Sequence, residues 1–205
     1  MYGAVGSVGG LAVTALSLSP DAVFLDLCAG RGHHTELAGE CVKGEGLVVA
    51  NCLTRRYLPD VERVVSRCGL TSMLVTRLHL LEMPKSIRGS FTHVLVNTPT
   101  TTTGGGGGVG VWFLQQVLEA GVDALVCGGV LVYLTVSARV EDNEEVVEQV
   151  RRTRQVEVVP LTPPPHSTDL RFEKSESGCL RVTHLDGGSC GGGGMYCLTK
   201  LKKVA

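Results

Sequence analysis

The stretch Val23-Phe-Leu-Asp-Leu-Cys-Ala-Gly-Arg-Gly32 decides the fold. A short apolar run ends in an acid and a glycine-bearing turn, and His33–Gly39 then reads as a short helix. Strand, turn of small residues and helix start make the first unit of a βαβ array. Glycine in such a turn lets the backbone approach a ligand, and the helix N-terminus presents amide donors. A plain tight turn between strand and helix would look the same, so the remainder of the chain has to decide.

Working outward, Leu47–Ala50 reads as a second strand. Tyr57–Cys68 carries Leu58, Val61, Val64 and Val65 at helical spacing, and Gly69 stops it. Ser72–Thr76 and Thr92–Val96 are the third and fourth strands, and Trp112–Leu125 is a helix. Gly128-Gly129 is the expected turn into a fifth strand, Val130–Val136. Glu141–Arg152 is a charged helix with Val146, Val147 and Val150 on its apolar side, and Gln155–Val159 is the sixth strand. From Pro160 to about Gly178, through Pro163-Pro-Pro165, an extended loop is expected. Cys179–His184 and Met195–Leu201 then form a terminal hairpin.

Buried strands separated by helices predict a doubly wound α/β domain with a mostly parallel sheet and a C-terminal antiparallel hairpin at its edge. Ligands of such sheets sit at the C-terminal strand ends, here residues 27–34, 50–54, 77–82, 97–104 and 136–139.

Composition agrees with one globular domain spanning 1–205: 43% of the 205 residues are hydrophobic, 19% are charged and the net charge is -1. That excludes a disordered tail, a polycation and a polyacid. No apolar run reaches the roughly 18–20 residues needed to span a bilayer. The first basic residue is Arg31, so no transit peptide is expected within the chain. Eight cysteines (28, 41, 52, 68, 127, 179, 190 and 197) form no CxxC pair, and free buried thiols are expected. A metal cluster of Cys28, His33, His34 and Cys41 would need every ligand from one strand and the turn after it, so none is expected. The 27 glycines are clumped at 104–108 and 187–194.

The strand ends, taken in order, carry a resemblance. Leu25-Asp-Leu-Cys-Ala29, Val49-Ala-Asn51, Val94-Leu-Val-Asn-Thr-Pro99 leading to Gly104, Gly128-Gly-Val-Leu-Val-Tyr-Leu-Thr-Val-Ser137 and Glu141-Asp-Asn143 resemble the catalytic domain of the Sun-type RNA cytosine-5 methyltransferases. The resemblance runs from about Gly3 to Lys203 and implies a Rossmann-like methyltransferase fold that uses S-adenosylmethionine. It places a vestigial cofactor site at Asp26, Cys28, Ala29, Gly30, Gly32, Cys52, His79 and Asn97.

The departures bear on activity. The family's first motif, Asp-Leu-Cys-Ala-Ala-Pro-Gly-Gly-Lys-Thr, is kept at Asp26, Leu27, Cys28, Ala29, Gly32 and Thr35, but Gly30, Arg31, His33 and His34 replace Ala, Pro, Gly and Lys. Cys52 stands for the carboxylate that should hold the ribose hydroxyls, and His79 for the Asp that should contact adenine; neither replaces a carboxylate in kind. Thr100 and Val136 fall on the two family cysteines and Asn97 on the catalytic Asp. Cytosine C5 becomes nucleophilic only after a thiolate adds to C6, so this chemistry needs a cysteine of low pKa. Thr100 is too weakly acidic for that, Val136 has no polar atom, and Asn97 cannot move a proton. The expectation is no intact catalytic residue and no bound cofactor, with S-adenosylmethionine the candidate if the pocket still functions.

Basic clusters at Arg55, Arg56, Arg63 and Arg67, at Arg151, Arg152 and Arg154, and at Lys200, Lys202 and Lys203 are candidate RNA contacts. Solvated helix ends and a charged tail would produce the same clusters. The resemblance implies a degenerate RNA methyltransferase homologue kept as a binding or scaffold factor in ribosome assembly. Analogy with one branch of the family adds a mitochondrial setting, rRNA or an assembly intermediate as ligand, and a helical-repeat partner resembling transcription termination factors. The alternative is an active S-adenosylmethionine-dependent enzyme with a different acceptor, which would use positioning in place of a cysteine. A purely structural subunit that touches protein and never RNA is the third reading.

Overall fold

The computed structural model describes residues 8–42, 45–69, 72–79, 84–99, 110–163, 170–184 and 195–205. Five strands, β1 (Val23–Asp26), β2 (Leu47–Asn51), β3 (Met73–Thr76), β4 (Phe91–Asn97) and β5 (Leu125–Thr135), pair in parallel in the order β3-β2-β1-β4-β5. The order reverses between β1 and β4, and a cleft opens there at the C-terminal strand ends. Helices α1 (Val8–Leu16), α2 (His33–Val42) and α3 (Leu58–Cys68) cover one face. Helices α4 (Val111–Ala124) and α5 (Glu144–Thr153) cover the other.

Alternation along the strands makes this two-sided burial possible. Phe24, Leu95 and Val132 pack with Leu11 and Leu16 of α1 and Ala38 of α2. Their neighbours Leu25, Val94, Val96 and Leu131 pack with Leu114 and Leu118 of α4 and Val146 and Val150 of α5. Gly121 lets α4 lie close: a Cβ there would stand 2.8 Å from both Leu131 Cδ1 and Val96 Cγ2.

The C-terminal third departs from the expectation in two ways. A strand, β7 (Leu170–Lys174), lies within the expected Pro160–Gly178 loop and pairs antiparallel with β8 (Leu180–His184). Pairing β7 with β8 satisfies backbone groups that a free loop would leave to water. The expected hairpin exists, since β8 pairs with β9 (Tyr196–Lys203), but β9 is an interior strand and not an edge. It lies antiparallel to β5 along its length, while β8 and β6 (Val156–Val159) share its other side, at Tyr196–Leu198 and Lys200–Lys203. Its apolar residues Leu198 and Leu201 supply both faces of the core, which an edge strand need not do. Helix α1, which was not expected, is apolar nearly all round and buried at Val8, Leu11, Ala12, Val13 and Leu16.

At Gly128-Gly129 the register steps from Phe91 opposite Leu125 to His93 opposite Val130. Residues 126–129 loop out with Gly128 at φ +80°, so the expected turn sits inside β5 as a bulge. The charged helix begins late: Val140–Asp142 forms a 3-10 turn, and α5 starts at Glu144. Among the described residues, no helix is long and apolar enough to cross a membrane. The seven described cysteines are free; Cys28, Cys52, Cys179 and Cys197 are buried as expected, whereas Cys41 and Cys127 are exposed. The glycine clumps 104–108 and 187–194, with Cys190, lie outside the described residues.

Candidate functional site

The turn after β1 is built from within. Gly30 and Gly32 have φ of +52° and +86°, backbone that a side chain strains to adopt. Gly32 N–H donates to the Ala29 carbonyl at 2.7 Å, and the Gly32 carbonyl then accepts from Glu36 in the first turn of α2. Thr35 Oγ1 donates to Asp26 Oδ2 at 2.7 Å, tying the helix to the strand end. Asp26 is fully buried, and burial pushes its carboxyl up to about 6 against the hydrogen bonds from the Thr35 side chain and the Cys28 and Thr35 backbone.

Asn51, at the end of β2, joins three strand ends. Its Nδ2 donates to the Leu27 carbonyl at 3.1 Å, and its Oδ1 accepts from Thr76 Oγ1 at 3.1 Å and Leu78 N–H at 2.7 Å. Residues 77–79 after β3 are thereby held beside residues 52–57 after β2. Sequence reasoning matched Asn51 to a motif without seeing this role. A fully buried carboxamide at a strand end, with four hydrogen bonds to offer, was the available signal.

A cleft of about 840 Å³ lies over β1 and β4. Cys28, Gly30 and Arg31 form its floor, Leu53, Thr54 and Tyr57 one wall, and Asn97, Phe113 and Val136 the other. Three sequence-derived cofactor positions, Cys28, Gly30 and Asn97, therefore meet there, together with the degenerate position Val136. Thr100 lies outside the described residues.

The remaining cofactor positions do not line the cleft. Asp26 lies beneath it. Ala29 and Cys52 are buried in a small cluster with Ala50 and Val61, because the side chains at these strand ends turn toward α3. Gly32 sits against Val61 and Val64 of α3. His79 is exposed.

The loop that presents Val136 is fixed by buried polar groups. Tyr133 Oη donates to the Asp142 carbonyl at 2.8 Å, Ser137 Oγ to Asp142 Oδ2 at 2.6 Å, and Thr135 Oγ1 to Asn143 Oδ1. Asn143 Nδ2 donates to the Ser137 and Arg139 carbonyls at 3.1 and 2.6 Å. The Glu141-Asp-Asn143 motif thus holds the loop after β5.

The titratable side chains of Cys28, in this cleft, and His34, beside Asn97, favour their neutral forms. Cys28 supplies the one thiol among its described lining residues, and burial, with the Asp26 charge adding to it, pushes that thiol far up. Burial raises the Cys52 thiol as well. Asn97 Nδ2 lies 3.5 Å from His34 Nδ1, and burial pushes His34 down to about 4, so the imidazole is neutral. Where the resemblance implies a Lys and an Asp, this chain holds an uncharged pair.

Of the basic clusters, most are engaged within the fold. Arg154 donates to Asp123 Oδ1 and Oδ2 at 2.6 and 3.1 Å, tying the end of α5 to α4. Arg151 and Arg152 pair with Glu148 at 3.1 and 3.9 Å. Lys203 Nζ donates to the Val122 and Leu125 carbonyls at 3.1 and 2.7 Å, closing the C-terminus of α4. Lys200 is half-buried, and burial lowers its ammonium. Lys202 is exposed. Arg154 and Lys203, both expected RNA contacts, thus tie elements of the fold together. By contrast, Arg55 and Arg56 are exposed on the 3-10 turn between β2 and α3, with Arg56 5.8 Å from the Tyr57 ring centre.

Residues 13–106 match the family described as 16S rRNA methyltransferase RsmB/F. The human 28S rRNA (cytosine(4447)-C(5))-methyltransferase is 28% identical over 168 residues, 73% of this chain and 21% of the human protein. Ribosomal RNA small subunit methyltransferase F of Aeromonas salmonicida is 25% identical over 158 residues, 68% of this chain and 33% of that protein. The chain thus spans between a fifth and a third of these relatives. The crystal structure of NSun6 from Pyrococcus horikoshii with SFG superposes with a TM-score of 0.78 at 19% identity, over 96% of this chain and 52% of that one. The Rossmann-like methyltransferase fold is therefore established.

S-adenosylmethionine, the cofactor the resemblance implies, presents a ribose diol and an ammonium that need acceptors, and a sulfonium that needs no cation nearby. The glycine turn gives the backbone approach. No described residue lining the cleft carries a carboxylate, and its one charged group is Arg31. Among the described lining residues, Arg31 suits the cofactor's carboxylate, but the acceptors for its diol and ammonium are the neutral oxygens of Thr54, Asn97 and Thr98, with no carboxylate.

Proposed function

Since the chain is a member of the Sun-type RNA cytosine-5 methyltransferase family, we propose that it is a catalytically degenerate homologue that binds rRNA in ribosome assembly. One observation carries the reading: the described lining of the cleft offers Asn97, Val136 and a protonated Cys28 where the chemistry needs an acid and a thiolate. Within this proposal the setting is the mitochondrial large subunit and the partner a helical-repeat protein, both by family analogy.

The intact Asp26–Thr35 turn supports a second reading, an active S-adenosylmethionine-dependent enzyme with a changed acceptor. Calorimetric titration with S-adenosylmethionine and a methyl-transfer assay on rRNA separate the two. No heat and no transfer are expected, whereas micromolar binding with transfer overturns degeneracy. The triple change Asn97→Asp, Thr100→Cys and Val136→Cys is expected to leave the chain inactive, because no described native carboxylate lines the cleft to hold the cofactor. Isolation of the native complex tests the assembly role, and rRNA should copurify.

A further inference from the structure

The chain has thirteen arginines, and the structure divides them. Arg63, Arg67, Arg139, Arg151, Arg152, Arg154, Arg171 and Arg181 each lie within 4.0 Å of a carboxylate oxygen. Arg31, Arg55, Arg56, Arg77 and Arg88 have no ion pair to a described residue. Arg88 precedes β4, at the far end of the sheet. The other four follow β1, β2 and β3 at their C-terminal ends, and all four are exposed. The Asn51 bonds hold the segment of Arg77 and His79 next to that of Arg55 and Arg56, and Arg31 reaches into the cleft itself. Asp60, the acid nearest this rim in sequence, is taken by Arg63 at 3.0 Å.

Four exposed arginines without a described counter-ion, around a cleft without a described carboxylate, select for an anion. The walls add Tyr57 and Phe113, whose rings suit a flat heterocycle. A carboxylate at the end of β2 would hold free ribose hydroxyls, whereas arginines beside that position accommodate a phosphate. Here Cys52 is turned into the core, and Arg55 and Arg56 follow it.

We propose that the cleft and its rim form a site for a phosphorylated nucleotide, with the base against Tyr57 and Phe113 and the phosphates on Arg31, Arg55, Arg56 and Arg77. The guanidinium fork matches phosphate geometry, and an exposed arginine loses little hydration when it engages one. A free nucleotide and a nucleotide within single-stranded RNA share this chemistry. The site rests on the proposed loss of methyl-donor binding, since the two ligands would compete for one cleft.

The test uses the full chain and its single tryptophan, Trp112, which is 62% exposed and next to the cleft residue Phe113. Tryptophan fluorescence is followed on titration with adenosine, ADP, S-adenosylmethionine and a 5′-phosphorylated pentaribonucleotide. ADP or the pentanucleotide should bind at least about tenfold more tightly than adenosine or S-adenosylmethionine. The affinity for the pentanucleotide should fall roughly twentyfold between 50 and 200 mM salt, as expected for some three phosphate contacts on a single strand. The double change Arg55→Ala, Arg56→Ala should reduce it about tenfold, while Arg151→Ala, Arg152→Ala leaves it unchanged. Tighter binding of ADP assigns the site to a free nucleotide, and tighter binding of the pentanucleotide assigns it to RNA. Equal binding of adenosine and both phosphorylated probes overturns the proposal, as does indifference to the Arg55/Arg56 change. If RNA binds but ignores that change, the site is wrong and the RNA-binding reading stands. If S-adenosylmethionine binds best and methyl transfer follows, both fall.

Discussion

Two basic regions look alike in sequence and differ in the fold. Arg151-Arg-Thr-Arg154 ends α5 and Lys200–Lys203 ends β9; Arg151 and Arg152 meet Glu148 of their own helix, while Arg154 and Lys203 reach across to α4. Arg154 is clamped by Asp123, and Lys203 closes the last turn of α4. Arg55-Arg56 lies between β2 and α3, where no described carboxylate pairs with it. A positive charge already held by a buried or half-buried acid adds to stability and little to anion binding. One left alone in water does the reverse, so local concentration of Lys and Arg is a poor guide to a nucleic-acid surface.

The largest test of this division is pH dependence at the cleft. Asp26 is pushed up to about 6 and His34 down to about 4, so both groups favour their neutral forms in the folded state. Between pH 4 and 6 the folded chain holds a proton on Asp26 that the unfolded chain has released, so this group makes stability fall as pH rises. Between pH 6.5 and 4 the unfolded chain holds a proton on His34 that the folded chain refuses, so that group makes stability fall as pH drops. The slopes oppose each other in one window, and the intact chain should show little net change there. Urea denaturation of Asp26→Asn should show stability rising from pH 4.5 to 6.5, by roughly 2–3 kcal/mol for a shift of about two units. His34→Gln should show the opposite slope. Two flat profiles would place both groups in water.

A smaller effect is expected from Arg154→Ala, which leaves Asp123 without its bidentate partner. Denaturation should show a loss of about 2 kcal/mol, the range for hydrogen bonds to charged groups, with nucleotide affinity unchanged. Lys203→Met should cost about 1 kcal/mol by exposing the carbonyls at the end of α4. The smallest effect belongs to Arg151→Ala and Arg152→Ala, exposed pairs whose removal should stay within about 0.5 kcal/mol by the same measurement. A large loss of RNA affinity from either change would erase the contrast between the two regions.

The parallel half was legible because its strands are buried on both faces and so read as apolar runs between amphipathic helices. Strand β7 was hidden because Leu170-Arg-Phe-Glu-Lys174 has one apolar face, follows a proline-rich segment and draws its partner from β8. Helix α1 was hidden because Val-Gly-Gly-Leu-Ala-Val-Thr-Ala-Leu shows no polar face and carries two glycines. At the site, the altered residues Asn97, Val136, Cys52 and His79 were readable as a list. Their arrangement was not: Asn97 and Val136 face the cleft, Cys52 faces the core and His79 faces water.

Local pattern alone therefore determined the βαβ units, their glycine turn and the end of the sheet where a ligand would sit, because periodicity and backbone preference act over a few residues. The tertiary structure alone decided that β9 is interior, that Asn51 binds three strand ends together, and which arginines have no counter-ion among the described residues. Those outcomes depend on groups far apart in sequence, as with Arg154 and Asp123 or Lys203 and Val122. Only folding brings such groups within hydrogen-bonding distance.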